Sequence, residues 1–317
     1  MNAIRKSALA KRVAHDFRPF REELRARGLR DRAVLVKAFF YLSLVAVYAL
    51  RRLSGARREL HFHPHIPDAE YTVWKMCALL GIKRRPLRGG ADIAFAFDVL
   101  DHEPGRVMDF APIVAAGPSR TINLRCTDIS KTAVAAAFEE AFGYPIALDP
   151  TRHRGPVVDK SDINAMHDGR LIQAPIGERR PGCVYQRLVD SVGPDGLAEY
   201  MRVPIVGASV QCVLLKYRLP ERRFARESES ALLRDWTDVF SREEVACILS
   251  LCARLGLDCG ELDAARDVAD SRLYVMDVNK TCWGPQTGLG LLDGYRVSWR
   301  LARAFEANLV SGDGAAS

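Results

Sequence analysis

Residues 254–286 read RLGLDCGELDAARDVADSRLYVMDVNKTCWGPQ, and the order of apolar and acidic positions within them sets the fold to be expected. Two apolar-rich runs, 260–264 and 272–278, flank the polar turn Arg266-Asp-Val-Ala-Asp-Ser271, the pattern of a β-hairpin with a short loop. Side chains alternate between faces along a strand, so Asp277 and Asn279 share one face, and antiparallel pairing can bring Asp263 onto it as well. Magnesium takes hard oxygen donors in octahedral geometry and uses only one or two carboxylates, completing its sphere with water and substrate phosphate. Two carboxylates and an amide meet that need. Asp263, Asp277 and Asn279 are therefore expected to be ligands of Mg2+, with Mn2+ as an alternative.

The upstream segments carry further signals. Thr127-Asp-Ile-Ser-Lys131 precedes Val134, Ala137, Phe138 and Ala141 at helical spacing, which predicts a helix with Ser130 as N-cap and Gly143 as its end. Pro156-Val-Val-Asp-Lys160-Ser161 reads as a short strand ending in a lysine, followed by the polar loop 161–169 with a single glycine and with His167 inside it. Gly182-Cys-Val-Tyr-Gln-Arg-Leu-Val-Asp190 is strand-like. The runs 198–207 and 210–218 predict a hairpin turned at Gly207-Ala-Ser. Val245, Ile248, Leu249 and Cys252 give the apolar stripe of a helix entered at Ser241.

Leu255-Gly-Leu-Asp258, Gly260, Asp263 and Val275-Met-Asp277-Val-Asn279, with the lysines upstream in order, resemble the ATP-grasp superfamily over about residues 121–290. The C-terminal motif is similar to the LGLD, GxDxxR, VMEVN pattern of the glutamate ligases that modify ribosomal proteins. Asp277 stands where that pattern has Glu, which shortens the carboxylate's reach, and Glu261 stands where several relatives carry a basic or neutral residue. The loop 161–169 departs from the family's glycine-rich phosphate cover.

The resemblance implies an α/β fold of ATP-grasp type, a two-lobed nucleotide cleft preceded by a small Rossmann-like lobe; the chain's own charge pattern puts a basic helical N-terminal arm before them. It implies ATP contacts for Lys131 and Lys160 and a hinge at Gln186, Arg187, Leu188 and Val189 whose backbone reads the adenine edge, with Asp190 on the ribose. In this scheme Arg202 neutralises the transferring phosphate, and Lys216 and Arg218 serve the phosphate or an acidic substrate. The implied reaction activates a small-molecule or peptide carboxylate as an acyl phosphate, which an amine or other nucleophile opens. A phosphotransferase using the same site and a non-catalytic ATP-binding protein are the alternatives. Trp283-Gly-Pro285 and Gly288-Leu-Gly290 are expected to border the acceptor pocket. Cys282 is read as structural, since no activating base lies nearby in sequence.

The remaining features bound the reading. The chain has 317 residues with 48% hydrophobic and 27% charged content, as in an ordinary globular protein. The expected division is an arm at 1–58, the Rossmann-like lobe at 59–120, an ATP-grasp domain at 121–310 with lobes 121–190 and 191–310, and a disordered tail at 311–317. Within 59–120, Leu60-His-Phe-His and Ile93-Ala-Phe-Ala-Phe97 predict strands, with a helix capped by Asp68 between them. His61, His63 and His65 are read as packing and surface residues rather than a metal cluster. Eight cysteines without a C-x-x-C pair are read as reduced thiols, which points to the cytoplasm. Through residue 60 there are 15 Lys plus Arg against 5 Asp plus Glu, so the other 257 residues carry 31 against 34. The basicity sits in the arm. Inside it, 38–50 (AFFYLSLVAVYAL) is apolar throughout and too short to span a bilayer. Two readings stand for this run: a helix buried against the catalytic lobes, or a peripheral contact of residues 30–58 with the inner face of a membrane. Nucleic-acid binding is not expected, because aromatic residues are not interleaved with the basic ones. A homodimer is left open.

Overall fold

The structure, a computed structural model, describes residues 15–27, 31–100, 109–164, 166, 168–224, 228, 230–284 and 288–311. His167, Pro285 and nearly all of the expected tail lie outside the described residues. The first part of the chain forms α1 (Arg18–Arg27), α2 (Arg32–Leu53), β1 (Glu59–Pro64), α3 (Thr72–Leu80), β2 (Lys83–Pro86), β3 (Ile93–Phe97), α4 (Ala111–Ala116) and β4 (Arg120–Ile122). Its four strands pair in parallel in the order β2-β1-β3-β4. Strand β3 is buried at every position, as a parallel strand covered on both faces must be. Phe110 and Ile113 cover Ala94 and Ala96 on one face, and α3 packs on Phe95 and Phe97 on the other.

Helix α3 starts three residues later than the sequence suggests. Asp68 Oδ1 accepts from the Glu70 amide at 3.0 Å, so it closes a turn ahead of the helix, whose N-cap is Tyr71 without a side-chain cap. A short polar side chain satisfies its own backbone two residues on as readily as it caps a helix.

The second part contains α5 (Lys131–Phe142), β5 (Gly155–Ser161), β6 (Arg170–Ala174), β7 (Cys183–Arg187), β8 (Ala198–Val206), β9 (Val213–Arg218), β10 (Ser230–Arg234), α6 (Arg242–Leu255), β11 (Cys259–Arg266), β12 (Leu273–Asn279) and α7 (Leu291–Phe305). Helix α5 is capped by the Ser130 hydroxyl, which accepts from Ala133, and ends at Gly143 in the left-handed region. Ser241 and Glu244 form a capping box on α6. Strands β6-β5-β7 form a three-stranded antiparallel sheet, and β10-β9-β8-β11-β12 a five-stranded one. One face of the larger sheet, with Met201, Val203, Leu262 and Val278, buries Val134 and Phe138 of α5 and Ile248 and Leu251 of α6 in a shared core. The other face is polar around Arg202, Lys216 and Asp263, while Val206, Leu214 and Cys259 on the same face join the core shared with α7 and the first lobe.

Helix α7 packs back onto the first lobe, with Leu301 and Phe305 in one cluster with Phe62, Met76 and Phe95. Helix α2 runs beside it. Val34, Phe40, Tyr41 and Leu44 are buried, and Tyr41 meets Trp74 edge-on at 6.1 Å. The burial expected of this apolar run thus applies to one face only, because α3 and α7 cover one side of a helix that is apolar all round.

Candidate functional site

Register builds the site. Asp263 on β11 stands directly opposite Asp277 on β12 and opposite Arg202 on β8, while Glu261 faces Asn279. Opposed residues share a face, so Glu261, Asp263, Asp277, Asn279 and Arg202 all lie on the polar side of the five-stranded sheet. Two residues before Arg202, Tyr200 pairs with Lys216 on β9, and Ala198 pairs with Arg218, which extends the same face. A register shift follows Asp263, whose neighbour Ala264 pairs with Val275, leaving Met276 as an extra residue in β12. Such a bulge frees backbone groups from the ladder. Lys160 of β5 takes the Met276 carbonyl at 3.1 Å, and Asn164 Nδ2 donates to the Val278 carbonyl at 3.3 Å. The smaller sheet is thereby tied over the carboxylate strand.

Charge is balanced tightly on this face. Arg202 grips Asp263 with Nε and Nη2 at 2.9 and 3.0 Å, and its Nη1 lies 3.3 Å from Glu261 Oε2. Burial raises the Asp263 carboxyl, but Arg202, with Lys216 and Arg218 behind it, outweighs burial and holds it well below the usual carboxylate range. Glu261 is buried more deeply, and burial pushes it up to about 7 against the pull of Arg202. Burial brings Lys216 down to about 8, with Arg202 acting in the same direction. Arg218 is lowered by burial and lies over the Tyr200 ring at 5.2 Å.

The smaller sheet supplies the opposite wall. Alternation puts Val158 and Lys160 on one face, joined by their partners Gln186 and Val184 on β7. Burial lowers Lys160 to about 8, opposed by Asp277 and reinforced by Lys131. Lys131, buried at the first turn of α5, donates to the Ile163 carbonyl at 2.8 Å. The loop after β5 caps that helix, since the Lys131 and Thr132 amides donate to Asp162. Gln186 Nε2 is buried with no hydrogen-bond partner among the described residues. In the hinge, the peptide groups of Leu188 and Val189 take part in none of the turn and loop hydrogen bonds among the described residues.

Two hinge residues are engaged elsewhere. The Arg187 side chain is on the opposite face from Lys160. It lies 3.4 Å from Asp267 and 3.1 Å from Asp270, donates to the Tyr274 hydroxyl at 2.7 Å and stacks on that ring. Its guanidinium therefore anchors the hinge to the β11–β12 turn. The Asp190 carbonyl accepts from Val268, and its carboxylate from the Val192 amide, while the residue remains exposed.

A divalent cation fits this donor set in a specific way. Among the described residues no three of His, Cys, Asp and Glu converge into a ready cage. Asp263 and Asp277 in direct register nevertheless offer the two carboxylates that magnesium ordinarily takes from a protein beside phosphate and water. Asn279 Oδ1 accepts from the Thr281 amide at 2.9 Å and from its hydroxyl at 3.2 Å, so it is already engaged, as the Asp263 carboxylate is by Arg202. With Lys131, Lys160, Arg202, Lys216 and Arg218 against Asp263, Asp277 and Glu261, cations exceed anions by five to three around the cleft. A polyphosphate carrying a divalent cation matches that surplus.

Other sequence signals have structural roles. Gly256 ends α6 in the left-handed region, Leu257 is buried, and Asp258 receives the Asn123 amide at 2.7 Å. Asn123 in turn accepts from the Asp258 and Cys259 amides and donates to the Cys259 carbonyl, latching β4 to β11. Nothing in the sequence marked Asn123, since its partners lie 135 residues away. Tyr200 was also missed, although period-two alternation from Arg202 places it on the site face. Cys282 donates to the Asn279 carbonyl, and burial raises its thiol well above the ordinary value, which suits a structural thiol. His61 is buried with Nδ1 3.0 Å from the Pro86 carbonyl, and His65 lies 3.1 Å from Asp98. Trp283 is half exposed and packs edge-on against Tyr71.

No family model matches the chain, and no curated protein matches it. Solved structures do. The ATP-grasp ligase PsnB complexed with minimal precursor, Mg and ADP is 13% identical, with a TM-score of 0.48 over 77% of this chain and 98% of that one. The macrocyclase MdnC bound with precursor peptide MdnA from Microcystis aeruginosa MRC is 12% identical, with a TM-score of 0.48 over 80% and 99%. D-alanine–D-alanine ligase from Bacillus anthracis complexed with ATP is 10% identical, with a TM-score of 0.46 over 80% and 96%. The chain is an α/β protein by its own helices and sheets, and ATP-grasp ligases are among the solved structures it is similar to.

Proposed function

We propose that the protein is an ATP- and magnesium-dependent ligase of ATP-grasp type that activates a carboxylate and joins it to an amine. The observation carrying this reading is the convergence of Lys160, from one sheet, on the strand that bears Asp277, directly opposite the Asp263–Arg202 pair of the other. Asp263 and Asp277, with Asn279, would hold the magnesium ion. When bound, the ion would neutralise phosphate oxygens and, as a Lewis acid on those oxygens, polarise the phosphoryl group being transferred. Lys131 and Lys160 bind the nucleotide phosphates as point charges. The cleft face of β7, with Gln186, and the peptide groups of Leu188 and Val189 receive the adenine. Arg202 and Lys216 offset the charge that develops during transfer.

A substrate carboxylate oxygen attacks the γ-phosphorus, the bond to the β-phosphate oxygen breaks, and ADP leaves. The acceptor amine then attacks the acyl carbon, inorganic phosphate departs and the amine loses one proton. A carboxylate attacks phosphorus without giving up a proton, which suits a face built from cations and metal-type carboxylates. The test is isotopic. Incubation with ATP, Mg2+ and panels of 18O-labelled carboxylates and amines is expected to yield phosphate carrying one 18O atom. Turnover that leaves all label in the carboxylate, or that moves the phosphoryl group to a hydroxyl, overturns the proposal in favour of a phosphotransferase. Absence of turnover with any pair, despite tight ATP binding, overturns it in favour of a binding protein.

A further inference from the structure

We propose that α2 docks the protein on an anionic lipid surface, lying flat with its outward apolar face in the interface. At about 100° per residue, Leu35, Phe39, Leu42, Ala46, Leu50 and Leu53 fall within one arc of the helix, opposite the buried Val34, Phe40, Tyr41 and Leu44. Phe39 is 61% exposed, Leu42 69%, Leu50 65% and Leu53 84%, a concentration of large apolar side chains that soluble surfaces rarely leave uncovered. The stripe from Leu35 to Leu53 runs ~27 Å along the helix axis.

The run 38–50 is too short by itself, but the helix that contains it is long and apolar enough to cross a bilayer, with a mean hydropathy of 2.1 in its most apolar 18-residue window and only 22% of that window buried. Its other side, however, is fastened lengthwise to the fold. Tyr41 meets Trp74 and Phe17, Phe40 meets Tyr295 at 4.8 Å, Ser43 bonds the Tyr295 hydroxyl, and Lys37 pairs with Glu23 at 2.5 Å. A helix attached along its length offers a face rather than a span.

Charge selects the occupant. From residue 32 to 58 there are six Lys or Arg and no Asp or Glu, and Arg51, Arg57 and Arg58 are exposed beside the end of the stripe. The first fourteen residues add Arg5, Lys6, Lys11 and Arg12 without an acidic residue. An apolar face with cationic flanks is complementary to acyl chains beneath anionic headgroups. A second copy of the chain fits less well, because basic residues flank both ends of the helix and either orientation of a pair sets like charges together.

The test is co-sedimentation of the full chain with vesicles of phosphatidylcholine alone and of phosphatidylcholine with phosphatidylserine. Binding to the anionic vesicles is expected to be at least ~10-fold tighter and to weaken with salt. The double variant Phe39→Glu, Leu42→Glu alters only exposed positions, so it is expected to keep the wild-type melting temperature and lose vesicle binding. Arg57→Glu is expected to lower binding several-fold. Equal sedimentation of the double variant and wild type, or none at low salt with either vesicle, overturns the proposal. So does a dimer in sedimentation equilibrium that the double variant splits while neither protein binds vesicles.

Discussion

Arg202 on β8 holds Asp263 on β11 through two hydrogen bonds of 2.9 and 3.0 Å while its remaining nitrogen faces Glu261 at 3.3 Å. A single guanidinium thus contacts two carboxylates of the site face, and its planar fork is what allows it. Arg202→Ala is expected to lower stability and to reduce turnover of the proposed reaction by ~100-fold or more, as loss of a charge-stabilising donor does. Breaking a fully buried pair costs ~3–5 kcal/mol. The Asp263 side chain is 39% exposed, so solvent screening reduces the expected cost to about 1–3 kcal/mol. Chemical denaturation checks the first effect and single-turnover kinetics the second. Arg202→Lys is expected to fall between, since it keeps the charge and loses the fork. A variant as active as wild type would remove Arg202 from the mechanism.

Asp277 contributes the second carboxylate, directly across from Asp263. Calorimetric titration of Asp277→Ala with ATP is expected to show at least ~10-fold weaker binding with Mg2+ and little change without it, as loss of a metal ligand implies. Asp277→Glu adds one methylene and is expected to retain magnesium-dependent binding. If the alanine variant keeps the full magnesium effect, Asp277 is not a ligand.

Lys160 provides a pH signature with two arms of opposite sign. Burial lowers it from 10.5 to about 8. Between those values the unfolded chain holds a proton that the folded chain lacks, so this group makes stability rise with pH across the window. Phosphate binding needs the ammonium, so ATP affinity is expected to fall as pH passes about 8. In Lys160→Arg the charge persists at high pH, and the affinity arm should flatten. Titrations and denaturation curves across that window measure both arms. An affinity in the wild type that stays constant through it would separate Lys160 from the nucleotide.

Gly260 has no room for a side chain. A Cβ there would lie 2.7 Å from the Asn279 carbonyl oxygen and 2.7 Å from Leu257. Gly260→Ala is expected to destabilise the protein by ~1–3 kcal/mol through overpacking. It should also weaken magnesium-dependent ATP binding by displacing Asn279 and the end of β12. A melting temperature unchanged from wild type would contradict the close approach.

Much of this fold was legible locally. The hairpin 259–279, the Ser130 and Ser241 caps and the glycine end of α5 follow from alternation, helical spacing and capping chemistry, interactions between residues a few positions apart. The Leu255-Gly-Leu-Asp258 motif was legible as a pattern but not as a cause, because its work is to end a helix and latch β11 to Asn123. Asp68 failed as a helix cap for a related reason: its side chain closes the turn before the helix.

By itself the sequence determined which residues face the same way along each strand, and so grouped Asp277 with Asn279 before any partner was known. Only the tertiary structure decided who meets them. Pairing between strands 61 residues apart in sequence gave Asp263 to Arg202, and the bulge at Met276 opened a carbonyl for Lys160. The tertiary structure also set the Arg187 side chain against Asp267, Asp270 and Tyr274. The same holds for α2, whose apolar run reads alike on all sides. Periodicity is set by local geometry, whereas burial depends on which neighbours the distant chain supplies, and here α3 and α7 cover one face and leave the other bare.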